Sequence, residues 1–233
     1  MPEKQIISLA FLTGKRNALP MTRTVAILTG DLIGSTHAPR AAVEAAMATI
    51  RDCAAQLGPD TRFTRFRGDG WQVRLATPNA ALWACLLILA RLRGQDGLPG
   101  CRIAVGLGEE GPAGTGDLST ATGPAFTASG RALDRMKADR LLALEGAGVD
   151  PFRKLAFMIA GELAGRWTTG QAEALALKLD PGSPADERLS NEAVARRLGI
   201  TRQAVDARLK AADYPILDEM VQVFLADRAN PTE

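Results

Sequence analysis

The chain has 233 residues, 46% of them hydrophobic, and a formal net charge of +2 at neutral pH. That length and composition allow a buried core and one large or two modest domains. The net charge is far below that of a protein that coats nucleic acid, so any DNA contact must come from a local patch. A single histidine, His37, excludes histidine-based metal clusters and serine-type triads.

Cysteine spacing and hydropathy argue against a cysteine-ligated metal site and against a disulfide-linked, membrane or secreted protein. Cys53, Cys85 and Cys101 lie in separate apolar stretches without metal-ligand spacing, which predicts buried free thiols. The longest apolar stretch, residues 80–90, is too short to span a bilayer, and the N-terminus does not have the arrangement of a signal peptide. We therefore expect a soluble cytoplasmic protein with no membrane partner, and we interpret residues 1–20 as an N-terminal extension.

The first predicted elements are a strand, a helix and a hairpin. Residues 25–29 are a short apolar run that predicts a buried strand, with Asp31 at its end. The apolar spacing over residues 39–57 is typical of an amphipathic helix. Two alternating stretches, residues 62–67 and 71–75, flank a Gly-Asp-Gly turn, which predicts a hairpin.

A helix, a strand and a second helix follow. Thr77 and Pro78 predict the start of a helix that ends near Arg93. Further on, the sequence predicts a strand at residues 102–107, a loop or loose hairpin at residues 106–123 and a helix at residues 124–137. The apolar run at residues 141–144 either continues that helix or forms a further strand, and we favour the strand. This order is typical of an α+β sandwich with helices over a mainly antiparallel sheet, placed at residues 21–149.

The remainder of the chain is predicted to be helical. Residues 151–167 and 169–179 are predicted helices. The polar, Pro- and Gly-containing stretch at residues 180–188 is predicted to be a linker, and together these segments form a helical connector over residues 150–188. Within residues 189–233, Ser190 and Thr201 are predicted to cap two helices on either side of a Gly-Ile turn. That pattern predicts an all-α helix-turn-helix domain.

The second of these helices supplies the candidate DNA-binding residues. Arg202 and Gln203 are expected to read base edges, because their forked polar groups suit guanine and adenine, whereas Arg208 and Lys210 suit phosphate. Asp206 is expected on the same exposed surface. The alternative is a helical hairpin used for dimerisation or for docking onto the rest of the chain.

Two carboxylates stand out in the first domain. Asp31 follows the first strand and Asp69 occupies the hairpin turn, so adjacent strands would bring them together. A pair of carboxylates is the minimum that can hold Mg²⁺ against a triphosphate. Each residue also has a purely structural interpretation, as a turn residue or a polar strand end. Arg131 lies four residues after Thr127 and shares its helical face.

In sequence order, GDLIGST, RGDGWQ, RIAVGLGE and GPAFTASGRALDRM resemble the class III nucleotide cyclase domain over residues 24–146. With the segment from Trp167 to Phe224 added, the chain from Met21 resembles the SatD-like family, in which such a domain precedes a helix-turn-helix. The resemblance implies a ferredoxin-like core, a nucleoside triphosphate ligand or substrate, and Mg²⁺ or Mn²⁺.

The resemblance also assigns roles to residues. It implies that Asp31 and Asp69 hold metal ions, and that Arg131 neutralises transition-state charge across a homodimer. Thr127 stands where the family has a ribose-orienting asparagine, and Arg65 where it has a base-selecting lysine or glutamate. Neither replacement is equivalent, because Thr127 lacks the amide and Arg65 offers donors only.

Three functions are consistent with the sequence. The favoured hypothesis is a DNA-binding transcriptional regulator whose first domain senses a nucleotide, since the metal-binding positions are kept and the base-selecting and ribose-orienting ones are changed. The alternatives are an active class III nucleotidyl cyclase and a scaffold that uses both domains for protein contacts. The sequence does not identify the nucleotide or the DNA operator.

Overall fold

A single five-stranded sheet organises the part of the chain that precedes residue 147. The computed structural model describes residues 24–66, 68–111, 118–180 and 189–227. The strands are β1 (Thr24–Leu32), β2 (Arg62–Arg65), β3 (Trp71–Leu75), β4 (Cys101–Glu109) and β5 (Leu142–Gly146). The helices are α1 (Arg40–Gln56), α2 (Ala81–Arg93), α3 (Pro124–Arg135), α4 (Pro151–Gly165), α5 (Thr169–Lys178), α6 (Asn191–Leu198), α7 (Arg202–Ala211) and α8 (Tyr214–Ala226).

Strand β1 lies at the centre of the sheet, whose order is β2-β3-β1-β4-β5. It pairs antiparallel with β3 and β4, and its register places Gly30 opposite Trp71 and Asp31 opposite Arg102. The strand continues beyond the predicted apolar run because β3 pairs with it as far as Gly30 and β4 pairs with it as far as Leu32. Asp31 is therefore the penultimate residue of the strand and is paired on the β4 side.

The other strands largely follow the sequence pattern. The run at residues 141–144, for which the sequence favours a strand, lies largely in β5, and β5 pairs parallel with β4. The remaining strand pairings are antiparallel. One boundary was wrong: β4 continues through Glu109, so the start of the predicted loop at residues 106–123 is strand. Its glycines still belong to the sheet because β1 pairs with them as far as Thr24. Residues 112–117 lie outside the described part.

The two faces of the sheet are covered by different helices. Alternate residues of β1, Ala26 and Leu28, belong to the large core shared with α1 and α2. Val25 and Ile27 point to the other face, where they pack with Phe126 of α3. This alternation follows from the period of two along a strand. The α+β fold class is confirmed.

Helix α3 lies directly against the backbone of β4. A Cβ added at Gly106 would come 2.0 Å from the Ala125 carbonyl oxygen and 2.6 Å from the Ser129 backbone nitrogen. The Ser129 hydroxyl, which is fully buried, shares a hydrogen bond of 2.8 Å with the Thr29 hydroxyl. Only glycine at position 106 permits this close approach.

Helices α4, α5 and α8 pack onto α2, α6 and α7 pack onto α5, and one continuous hydrophobic core extends from the sheet to α8. The Trp83 indole nitrogen donates to the Leu179 carbonyl at 3.0 Å, and the Trp167 indole nitrogen donates to the Ala212 carbonyl at 3.2 Å. The predicted helices at residues 151–167 and 169–179 are α4 and α5. Of the predicted linker, residues 181–188 lie outside the described part.

The three cysteines are free and buried, as predicted. Burial raises the pKa of the Cys53 thiol to about 11 and also raises the pKa values of Cys85 and Cys101. All three side chains are therefore protonated, apolar core groups near neutral pH. Among the described helices, none has the length and hydrophobicity needed to cross a bilayer.

The close contact between α3 and β4 yields a stability prediction. We expect Gly106→Ala to lower the free energy of unfolding by at least about 2 kcal/mol, because the new methyl group meets backbone atoms that cannot rotate away. Gly130→Ala is the matched control, since a Cβ there has no neighbour within 4 Å in the described structure. That variant should gain about 0.5–1 kcal/mol from helix propensity. Urea unfolding followed by circular dichroism measures both changes, and equal stabilities would contradict the packing argument.

Candidate functional site

The carboxylates of Asp31 and Asp69 come from neighbouring parts of the sheet. Trp71 begins β3 opposite Gly30, so Asp69, two residues earlier, lies in the turn beside the end of β1. Asp69 accepts a hydrogen bond from the hydroxyl of Ser35, in the loop after β1. Both carboxylates raise the pKa of the same guanidinium, that of Arg102. The backbone register therefore places the end of β1 and the β2–β3 turn at the same edge of the sheet.

Arg102 is one of the residues of this group that sequence reasoning missed. Its Nε donates to Asp31 Oδ1 at 3.0 Å, and its Nη2 donates to Asp31 Oδ2. The hydrogen bonds to Asp31 are the main reason that the pKa of Arg102 is raised. The side chains are 25% and 28% exposed, so ligands can reach the pair. No sequence signal short of the β1–β4 register would have joined two residues 71 positions apart.

A cleft of about 370 Å³ opens next to Asp69. It lies between the β1–α1 loop, the first turn of α1 and the hairpin formed by β2 and β3. Its lining residues are Ser35, Thr36, Ala38, Arg40, Val43, Glu44, Arg65, Gly68 and Asp69. Two of the residues singled out by sequence, Arg65 and Asp69, therefore share one cavity.

Arg65 lines the wall of this cleft, and its guanidinium is already bonded to other protein groups. Its guanidinium makes two hydrogen bonds to the Glu44 carboxylate, at 2.7 and 3.0 Å. Nε and Nη2 also donate to the Gly68 carbonyl, at 3.2 and 3.1 Å. Hydrogen bonding to Arg65 lowers the pKa of Glu44, and the same contact raises the pKa of Arg65. The pair therefore ties the hairpin to α1.

The opposite wall offers donors suited to an anion. Arg40 is exposed, and in the described part of the chain its guanidinium has no ion-pair partner. The Thr36 hydroxyl lines the same space, whereas the Ser35 hydroxyl donates its proton to Asp69. Helix α1, which has 17 residues, begins there after Pro39, whose side chain provides no cap. The Ala42 N–H already donates to the Pro39 carbonyl at 2.9 Å, so the N–H groups of Arg40 and Ala41 are the ones without an intrahelical partner at this end.

Thr127 and Arg131 lie on α3, away from the cleft, and both are exposed. Because Thr29 bonds to Ser129 of α3, Asp31, two residues further along β1, is on the α3 side of the sheet. Arg65 pairs with Trp71 of the α1–α2 core and so faces the other side. Thus Arg131 shares a sheet face with Asp31, but no described hydrogen bond or ion pair joins them.

Helices α6 and α7 follow the predicted pattern closely. The Ser190 hydroxyl accepts from the Ala193 N–H at 3.2 Å, and the Thr201 hydroxyl accepts from the Ala204 N–H at 3.1 Å. Gly199 takes the left-handed conformation, with φ of 65°, that ends α6. The chain can turn there because glycine has no Cβ to clash.

The candidate DNA-binding residues of α7 differ in their surroundings. Arg202, Gln203 and Lys210 are exposed. Asp206 is exposed too, but it accepts from the Asn191 side chain at 2.6 Å and lies 3.8 Å from the Arg202 guanidinium. Arg208 is half-buried: it donates to the Gly170 carbonyl at 3.1 Å and pairs with Glu173 of α5 at 3.1 Å. That guanidinium already has a structural partner.

Comparisons with known proteins give limited likenesses. No family model matches the chain, and no curated protein matches it. Similar solved structures include a bacterial light-regulated adenylyl cyclase, with 19% identity over 55% of this chain and 44% of that one and a TM-score of 0.39. Another is the guanylyl cyclase Cya2, with 19% identity over 52% of this chain and 74% of that one and a TM-score of 0.37. The chain thus spans less than half the length of the light-regulated cyclase.

Proposed function

We propose that this protein binds a nucleotide at the sheet end around Asp31 and Asp69, and that α6 and α7 form a helix-turn-helix that binds double-stranded DNA. The observation that carries the proposal is the cleft beside Asp69, where Arg40, the Thr36 hydroxyl and the start of α1 face one space. Cationic and N–H donors of this kind suit phosphate oxygens.

The donor set at this sheet end fits a hard cation only together with a ligand. In the described residues no group of three or more histidine, cysteine, aspartate or glutamate side chains could hold a metal ion. Asp31 and Asp69 supply two carboxylates, so phosphate oxygens and water must complete the shell of Mg²⁺ or Mn²⁺. When bound, such an ion would neutralise phosphate charge. Both aspartates are proposed ligands of the metal ion, and the Arg102 guanidinium balances their negative charge when no metal is bound.

The DNA-binding half of the proposal is supported by the surface of α7. Arg202 and Gln203 are exposed at its first turn, the part of a second helix that enters the major groove in helix-turn-helix proteins. Lys210 suits a phosphate contact. Arg208 acts mainly as a link to α5, because its guanidinium is engaged by Glu173. A nucleotide changes DNA binding only if it binds one arrangement of the paired chains more tightly.

A second candidate function is cyclase activity in a homodimer. The observation that favours it is the exposure of both Thr127 and Arg131 on α3, which leaves their side chains accessible to another copy of the chain. The substitutions at Thr127 and Arg65 favour nucleotide sensing over turnover.

The first prediction concerns nucleotide binding. We expect calorimetry with Mg²⁺ and each of ATP, GTP, CTP and UTP to detect binding of at least one, and Asp69→Asn to weaken it about tenfold by removing a carboxylate charge. Asp134→Asn, on the exposed surface of α3, is the matched control. Absence of binding for all four nucleotides would contradict the proposal. Cyclic product that disappears in Asp31→Ala would instead establish the cyclase function.

The second prediction tests Arg102 as counter-charge. We expect Arg102→Gln to tighten the binding of Mn²⁺ without nucleotide by about tenfold, because a fixed positive charge next to Asp31 is removed. Arg135→Gln, at the end of α3, should leave Mn²⁺ binding unchanged. Electron paramagnetic resonance of free Mn²⁺ measures both affinities. Weaker Mn²⁺ binding by a folded Arg102→Gln variant would show that the arginine supports the site in another way.

The third prediction separates two arginines of α7. Arg202→Ala should weaken binding of selected genomic fragments by about 1–3 kcal/mol with little change in thermal stability. Arg208→Ala should lower thermal stability, since it breaks the contacts with Gly170 and Glu173. Fluorescence anisotropy at fixed salt and thermal melts provide the two readouts. Unchanged DNA retention by Arg202→Ala would remove the assignment of α7 as the reading helix.

A further inference from the structure

A second cavity, of about 250 Å³, opens at the end of the sheet where β1 finishes. Its walls come from the residue that follows β1, the end of α2, the start of β4, the approach to β5 and the end of α4. The lining residues are Ile33, Leu89, Leu92, Arg93, Gly100, Cys101, Asp139, Leu141, Ala164 and Gly165. None of them belongs to the cleft beside Asp69.

The inner surface of this cavity is aliphatic. Leu92, Cys101 and Ala164 are almost fully buried, and Ile33 at the rim is 44% exposed. Close-packed interiors leave few voids larger than a water molecule. The space here equals the liquid volume of roughly eight waters, and apolar cavities of about 150 Å³ take up small apolar molecules. The cavity is therefore large enough for a ligand with an aliphatic body.

Two opposite charges stand among the lining residues. Arg93 Nε donates to the Trp167 carbonyl at 2.8 Å, which fixes the guanidinium. Both side chains are exposed at the rim of the cavity, and within the described residues neither the two terminal nitrogens of Arg93 nor the Asp139 carboxylate has a protein hydrogen-bond partner. The two side chains do not pair with each other. Specific small-molecule sites combine an apolar wall with a few such polar groups.

We propose that this cavity binds an α-amino acid with an aliphatic side chain. The carboxylate of the ligand pairs with Arg93, its ammonium group pairs with Asp139, and its side chain packs against Leu89, Leu92 and Leu141. A zwitterion satisfies both charges at once, whereas a plain carboxylate leaves Asp139 facing a like charge. This site does not depend on nucleotide or metal binding.

The position of the cavity also suggests what the ligand regulates. The Ile33 N–H donates to the Gly100 carbonyl at 2.8 Å, two residues after Asp31. On the other side, Arg93 holds Trp167, whose indole is bonded to the end of α7 through Ala212. An amino acid bound here contacts the segments that lead to both proposed sites, and it acts as an effector if its affinity differs between their arrangements.

The test uses the full chain and measures thermal unfolding and calorimetric binding with leucine, isoleucine and norleucine. At a hundredfold excess over the dissociation constant, binding should raise the midpoint of unfolding by about 5 °C or more. Hexanoate lacks the ammonium group and hexylamine lacks the carboxylate, so each should bind at least about tenfold more weakly than norleucine. Hexanoate binding as tight as norleucine, or no binding of any amino acid, would overturn the proposal.

Variants locate the ligand. Gly165→Leu should abolish binding, because a Cβ at this position lies 3.6 Å from Leu141 Cδ1, an ordinary contact, and the longer side chain extends into the cavity. Asp139→Asn should weaken binding about tenfold by loss of the charge partner, whereas Asp134→Asn should not change it. Where Gly165→Leu does not fold, Asp139→Asn decides. Unchanged affinity in Asp139→Asn would rule out the proposed binding mode.

Discussion

The register of β1 between β3 and β4 is the constraint on which the rest of the sheet end depends. A shift of one residue would turn every β1 side chain to the opposite face. Asp31 would leave Arg102, and the apolar residues that fill the core would face α3. Gly30 adds a steric lock, since a Cβ there would lie 2.3 Å from the Trp71 ring and 2.7 Å from the Arg102 carbonyl. The position of each charged group is thus fixed by core packing.

Because its position is fixed, the Arg102–Asp31 pair affects the electrostatics of the sheet end more than it affects stability. As a partly exposed ion pair it contributes little to stability, on the order of 1 kcal/mol or less. The pair matters more for the local electrostatics, because the hydrogen bonds to Asp31 and the charges of both Asp31 and Asp69 raise the pKa of the Arg102 guanidinium. Under the proposed function, a lone divalent cation would compete with Arg102 for Asp31. A phosphate ligand would bring negative charge that the guanidinium can accept, so the proposed site suits nucleotide and metal together better than metal alone.

Sequence periodicity predicted most elements because local hydrophobic pattern decides which face of a strand or helix is buried. It located β1, β3 and β5, and the capping residues Ser190 and Thr201 located α6 and α7. It did not give α8 as a separate helix, nor the continuation of β4 through its glycines. Those glycines carry no β propensity, and their strand conformation comes from pairing with β1.

The candidate sites were less predictable, since contacts between distant residues decide them. Asp31 and Asp69 could be singled out as acidic residues at a strand end and a turn. The partners Arg102, Ser35 and Glu44 could not, because each requires a tertiary neighbour. The same holds for Arg208, which the helical pattern marks as exposed and which Glu173 holds against α5. Position in a motif predicts where a charge lies and leaves open what it contacts.

The packing of the last helices limits how the two proposed sites can communicate. Helix α2 is buried along almost its whole length, with the sheet on one side and α5 on the other. Arg208 joins α7 to α5, and the Trp167 indole joins the end of α7 to the segment between α4 and α5. Helix α7, tied to its neighbours through its C-terminal half and buried along its inner face by Val205 and Leu209, cannot swing freely within one chain. Under the proposed function, nucleotide binding therefore alters DNA affinity through the way two chains pair, with each chain moving largely as a unit.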